Sequence, residues 1–346
     1  MDVVRVAVIG AGSWGTTIAS LAAHNEPTVL WARKSEVAEE IDRYKRNSRY
    51  LDDMPLHTSL RASSDMREVV EQADVVVMGV PSHGFRDTLL EVAPYVRPLV
   101  PVISLAKGLE QGTNLRMTEV IAEVLPGHPA GVLTGPNLSK EILAGQAAAA
   151  VIAMADETIA ARLQRVFSVE HYRVYTNTDV IGSEIAGALK NVIAVAAGIA
   201  AGLGTGDNTL ASLITRGLSE LTRLGVAMGG RPDTFAGLAG MGDLVATCIS
   251  SQSRNRYVGL QLAAGRRIDE IVTEMQQIAE GVKTVPVARE LARRYGVDMP
   301  ITDEMYEVII NGRAATDAYH NLMRRKLGSE SRPTSRLPRA RDGHEA

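Results

Sequence analysis

Cysteine is nearly absent: Cys248 is the single one in 346 residues. That excludes an internal disulfide framework and fits a reducing compartment. Net charge is also small, −3 at pH 7. No global basic field exists to hold nucleic acid or an anionic membrane, so any bound anion must be held by a local cluster. The longest apolar stretches, around 193–203 and 147–155, fall short of the roughly 20 residues a bilayer requires. The first residues enter a strand pattern directly, with no cationic n-region or small-residue cleavage site. A cytoplasmic location is therefore expected rather than secretion. No cysteine–histidine cluster suggests a metal.

What is there describes a soluble globular protein: 45% apolar and 22% charged residues. Two domains are expected, since single cores rarely grow past roughly 250 to 300 residues. In the first half, short β-branched runs at 3–9, 28–32, 75–80, 100–105, 132–133, 148–154 and 172–175 alternate with amphipathic helical patterns. Strands apolar throughout and separated by helices argue for a mostly parallel sheet covered on both faces. From about Val180 the pattern becomes helical, rich in Ala, Leu and Gly. The reading is an α/β fold: a Rossmann-type domain at 1–180, an all-helical substrate domain at 181–328, and a disordered tail at 329–346. The tail has too few apolar residues to offset its ordering entropy.

Directly after the first strand comes Gly10-Ala11-Gly12-Ser13-Trp14-Gly15, a G-x-G-x-x-G that opens a helix. Gly10 permits the tight turn, Gly12 lets backbone approach a pyrophosphate, and Gly15 allows close helix–strand packing. The free N–H groups of the new helix attract phosphate. In a βαβ setting this predicts dinucleotide binding. An NAD enzyme usually places an acid at the end of the second strand; here stand Arg33 and Lys34. Cations there suit a 2′-phosphate, so NADP(H) is favoured, with NAD(H) also admissible.

The fourth-strand run ends in Val80-Pro81-Ser82-His83, at the sheet edge where such folds bind ligands. His83 reads more simply as a surface residue than as an acid–base group. Lys107 ends the next strand, and 135–141 makes another turn opening a helix. In the helical half, Lys190 and Asn191 sit among apolar residues, on a stripe with Ser183, Gly187, Ala194 and Gly198. With no acid at i±4, Lys190 reads as an unpaired lysine. Desolvation would pull its pKa toward neutrality, as proton transfer requires. Asp243 and Thr247 share a helix face. Ser253, Arg254 and Asn255 begin another helix and form a phosphate site by local chemistry. Residues 279–284 read as a polar loop.

Together these residues resemble the bacterial NAD(P)-dependent glycerol-3-phosphate dehydrogenase family, from Val4 to about Gly328. The resemblance is carried by 10–17 (Gly-Ala-Gly-Ser-Trp-Gly-Thr-Thr), 80–83 (Val-Pro-Ser-His) and 105–108 (Leu-Ala-Lys-Gly). To these are added 190–194 (Lys-Asn-Val-Ile-Ala), 237–244 (Gly-Leu-Ala-Gly-Met-Gly-Asp-Leu) and 253–255 (Ser-Arg-Asn). It implies a Rossmann domain followed by a helical domain of the 6-phosphogluconate-dehydrogenase C-terminal type, with substrate between them. It implies reversible hydride transfer between NAD(P)H and dihydroxyacetone phosphate, giving sn-glycerol 3-phosphate for glycerophospholipid synthesis. Homodimer formation is a family expectation as well.

By the same resemblance Lys190 is the proton donor and acceptor, and Lys107, Gly135, Asn137, Asp243, Ser253, Arg254 and Asn255 hold substrate; Asn191, able to orient the reacting oxygen, and Thr247, on the face of Asp243, are expected beside them. The resemblance also places Ser13, Trp14, Arg33, Lys107, Ser139, Arg254, Ile278 and Glu280 with the glycines at the cofactor, where the charge at the end of the second strand adds Lys34. The sequence departs from the family at Asn137, where Ser is frequent, at Ser139, where Ala is, and at Ala279, where Val is. Two other readings stay open at this point. One is a two-domain dehydrogenase of a hydroxy acid or sugar acid; the other is a non-catalytic NADPH sensor.

Overall fold

The computed structural model describes residues 3–275 and 279–326. Ile278 and the tail at 329–346 lie outside the described residues. Eight strands form one sheet: β1 (Val6–Ile9), β2 (Thr28–Trp31), β3 (Arg61–Ser63), β4 (Val75–Met78), β5 (Val102–Ser104), β6 (Ala130–Thr134), β7 (Ala148–Met154) and β8 (Tyr172–Asn177). Their order is β3-β2-β1-β4-β5-β6-β7-β8. Every neighbouring pair is parallel except β6–β7, which is antiparallel. β1 and β4 consist wholly of buried residues, as a sheet covered by helices on both faces demands. The chain order reverses direction at β1, between β2 and β4. That is the switch point outside which α/β sheets hold their ligands.

The strand β3 has no counterpart among the expected strands. Arg61-Ala62-Ser63 has one apolar residue, and the element exists because it pairs with β2 at the sheet edge. Edge strands need no buried apolar run, so composition does not announce them.

The second half is helical and built around Val180–Gly202, a 23-residue helix buried almost continuously from Gly182 to Ala200. By length and composition it is long and apolar enough to cross a membrane, which the shorter runs at 193–203 did not suggest. However, 89% of its most apolar window is buried inside the protein, so it is the axis of the second core. Helices Asp207–Ala227, Asp243–Ile249, Arg254–Ala263 and Glu280–Tyr295 surround it. The crossing with Arg254–Ala263 brings backbone onto backbone. A Cβ on Gly198 would stand 2.1 Å from the Arg256 carbonyl oxygen, and one on Gly259 would stand 2.1 Å from that of Val195. The small residues on the stripe thus serve, at Gly198, to let a helix approach.

The stretch 279–284 is not a loop: helix Glu280–Tyr295 begins there. Its start is satisfied from elsewhere in the chain, because the Gly281 N–H donates to Asn255 Oδ1 at 2.9 Å. A helix end capped through tertiary structure leaves no local sequence signal.

Candidate active site

A crevice of about 650 Å³ runs along the carboxyl edge of the sheet and under the helical layer. One end is made by the glycine turn after β1. Gly10 has φ +111°, a conformation open to glycine, and a Cβ on Gly15 would meet the Gly10 carbonyl oxygen at 2.1 Å. Gly12 faces open space, and no side chain caps the helix Ser13–Ala22 that follows. Its first N–H groups are therefore presented to the crevice, as an anionic ligand requires. Gly10, Gly12, Ser13, Trp14 and Gly15 line this end, with Arg33 and Lys34 beyond β2. Arg49 and Tyr50 line it too. Sequence reasoning missed these two: they sit on the short helix Ser48–Leu51, with no motif around them.

At the other end stand Lys107, Asn137, Lys190, Asn191, Asp243 and Thr247, with Ser253, Arg254, Asn255 and Glu280 alongside. Two expected contact residues, Gly135 and Ser139, are placed away from the crevice lining. Gly135 instead offers its carbonyl to Lys107 Nζ at 2.7 Å. Ile278 lies outside the described residues. His83 is exposed and does not line the crevice.

Lys190 is not unpaired. Asp243, 53 residues along the chain, accepts a hydrogen bond from its Nζ through Oδ1, and Thr247 Oγ1 accepts a second at 2.7 Å. Thr247 is free to accept because its own proton goes to the Asp243 carbonyl at 2.6 Å. Lys107 Nζ approaches the other carboxylate oxygen, Oδ2, at 2.8 Å, in ion-pair contact but without hydrogen-bond alignment. Two lysines thus share one buried carboxylate. Burial lowers the Lys190 pKa to about 7; Asp243 works against that shift and the Lys107 charge adds to it. An ammonium has three N–H donors, and Asp243 and Thr247 take two, which leaves one for a ligand.

Four polar groups brace this cluster. Gly281 N–H donates to Asn255 Oδ1, Asn255 Nδ2 to Asn191 Oδ1 at 2.9 Å, and Asn191 Nδ2 to the Lys107 carbonyl at 3.0 Å. The chain of bonds ties the end of β5 to three helices of the second half. Ser82 Oγ donates to Glu280 Oε2 at 3.0 Å, joining the same two halves a second time. Arg254 is reached by solvent through the crevice, yet enough protein surrounds it that burial lowers its pKa, with Glu280 acting in the opposite sense. Among the described residues no group of three or more His, Cys, Asp or Glu could hold a metal ion.

Two family models match the chain: the N-terminus of NAD-dependent glycerol-3-phosphate dehydrogenase at residues 5–160 and its C-terminus at 179–320. The chain belongs to this dehydrogenase family. A Sphingopyxis alaskensis protein named as an NAD(P)+ glycerol-3-phosphate dehydrogenase is 55% identical over 329 residues, 95% of this chain and 99% of its own. A Mycobacterium avium protein of the same name is 55% identical over 327 residues, covering 94% and 96%. The crystal structure of the Coxiella burnetii glycerol-3-phosphate dehydrogenase superposes with TM-score 0.88 at 34% identity, covering 93% of this chain and 99% of that one. The glycine turn, the uncapped helix start and the open face at Gly12 fit the dinucleotide that the family uses.

Proposed function

We propose that the chain interconverts dihydroxyacetone phosphate and sn-glycerol 3-phosphate, with Lys190 as the proton donor in reduction and the acceptor in oxidation. The family makes it an NAD(P)-dependent oxidoreductase. The observation carrying the residue assignment is the buried Lys190 ammonium, at the crevice wall, with one donor left over and a pKa of about 7. Bound NAD(P)H supplies the hydride that the C2 carbonyl carbon takes up.

As that carbon is reduced, negative charge develops on its oxygen. Lys190 neutralises it by giving up a proton, and the Lys107 charge favours it electrostatically. Asp243 aims both lysines, and Thr247 fixes the Lys190 rotamer. Arg254 and the first turn of helix Arg254–Ala263 hold the phosphate, which positions the carbonyl for reaction. A cytoplasmic location, supply of a glycerol phosphate to glycerophospholipid synthesis, and a homodimeric state belong to the same proposal. A spectrophotometric assay at ~340 nm with dihydroxyacetone phosphate and each reduced cofactor tests the reaction. Turnover of a hydroxy acid in place of dihydroxyacetone phosphate would overturn it.

Direction and pH are then linked. Reduction needs Lys190 protonated, so its kcat should fall as pH rises through about 7; oxidation needs it neutral and should rise through the same pH. Parallel profiles in the two directions would remove Lys190 from the proton transfer.

Cofactor preference rests on Arg33, just beyond β2 on the crevice wall. Arg33→Asp should weaken NADPH roughly 10- to 100-fold, the range of a lost charge-assisted contact, and NADH much less. Equal losses for both cofactors in a binding titration would show that Arg33 does not read the 2′-phosphate.

A further inference from the structure

We propose that Tyr172 is a positioning residue for substrate, acting through Asn137; the proposal rests on the reaction assigned above. Tyr172 opens β8 and is wholly buried, at 0% exposure. Its hydroxyl donates to Asn137 Oδ1 at 3.1 Å. Burial, and secondarily the Asp243 charge, push the phenol's pKa well up, so the hydroxyl remains a donor throughout the working range of pH.

A phenol can also accept, but Asn137 Oδ1 takes the Tyr172 proton here, and a flipped amide would leave that proton without this acceptor. With Oδ1 committed to Tyr172, Nδ2 turns the other way. There it is buried without a hydrogen-bond partner, on a side chain that lines the crevice. A buried amide with its donors unmet is costly unless a ligand meets them. The neighbours say which ligand. The Tyr172 ring stands edge-on to Trp14 of the glycine turn, with centroids 6.4 Å apart. On the other side the loop is tied to the lysine cluster, through the Gly135 carbonyl on Lys107 and Pro136 beside Gly242. Asn137 thus lines the crevice from a loop tied to the lysine cluster, and the tyrosine that holds it packs on the dinucleotide turn. An oxygen of the three-carbon substrate is the acceptor that belongs there, and the amide turned by Tyr172 orients it.

The test is a double-mutant cycle. Tyr172→Phe keeps the ring and its packing on Trp14 but frees the amide to rotate. KM for dihydroxyacetone phosphate should rise roughly 3- to 10-fold, the range of one neutral hydrogen bond, with kcat changed less and the NADPH dissociation constant unmoved. A serine at 137 is too short to reach the tyrosine. In the Asn137→Ser background, Tyr172→Phe should therefore change KM by less than about 1.5-fold. Asn137→Asp supplies a second variant: it keeps an acceptor for Tyr172 but turns an acceptor toward the substrate, and KM should rise at least as far as in Tyr172→Phe.

The same KM factor in both backgrounds, or an unchanged KM in Tyr172→Phe, would overturn the proposal. So would a shift in NADPH affinity in place of KM, which would assign the amide to the cofactor. If the wild-type chain does not turn over dihydroxyacetone phosphate, the reaction assignment falls and takes this proposal with it. An active wild type without coupling sinks the proposal alone.

Discussion

Lys190→Ala should lower kcat for dihydroxyacetone phosphate reduction by roughly 10²- to 10⁴-fold, the usual cost of losing a general acid. The structure makes this variant interpretable. Asp243 would not be stranded as an unpaired buried charge, because Lys107 Nζ still stands 2.8 Å from its Oδ2. The fold should therefore persist, and NADPH should still bind, since the glycine turn that would hold it belongs to the other half of the molecule. Lys190→Arg separates proton transfer from charge. A guanidinium keeps the positive charge beside Asp243 but holds its proton too tightly to release near neutral pH, and its planar fork does not fit a site built for an ammonium. It should not restore turnover. If either variant works within about threefold of wild type, the loss is too small for a general acid, and the proton must come from Lys107.

The site was legible where its chemistry is local. Gly10 to Gly15 announces a phosphate-binding turn because strand, turn and helix start are contiguous, and the alternation of apolar strands with helices announces the parallel sheet. Lys190 also stood out, but for a reason that proved incomplete. A search at i±4 along its own helix finds no acid, whereas the partner, Asp243, comes from a helix 53 residues further on. Periodicity reads along one element and is blind to what another brings across. The same blindness hid Arg49, which reaches the crevice from a four-residue helix, and the Asn255 side chain that caps Gly281. The sequence pattern places Tyr172 in a strand. Nothing in that strand shows that its hydroxyl meets a side chain 35 residues upstream.

Asp243→Asn is expected to be the variant that damages stability most, and its effect should depend on pH in a defined sense. The carboxylate is 2% exposed and is shared by two lysines, with side-chain exposures of 5% for Lys190 and 18% for Lys107. An asparagine fills the same volume, yet its oxygen can meet only one ammonium while its amino group faces the other, donor against donor. Removing one partner of a buried ion pair typically costs about 3–5 kcal/mol. That cost is largest while both lysines must stay charged. In the wild type the folded-state pKa of Lys190 is already lowered from 10.5 to about 7. Between those values the unfolded chain binds the extra proton, so raising the pH favours the folded state. Without the Asp243 charge the folded pKa falls further, and the window in which rising pH stabilises the fold opens at a lower pH. Urea unfolding across pH 5.5–9, as a rough working range, should therefore give a stability gap between wild type and Asp243→Asn that narrows as pH rises to about 7 and levels off above it, where Lys190 is neutral in both folded proteins. The reduction profile should move to more acidic pH in step, because Lys190 loses its proton earlier. A gap constant across that range, with an unmoved activity profile, would mean that Asp243 contributes packing alone. The low Lys190 pKa would then owe nothing to the balance between one carboxylate and two lysines.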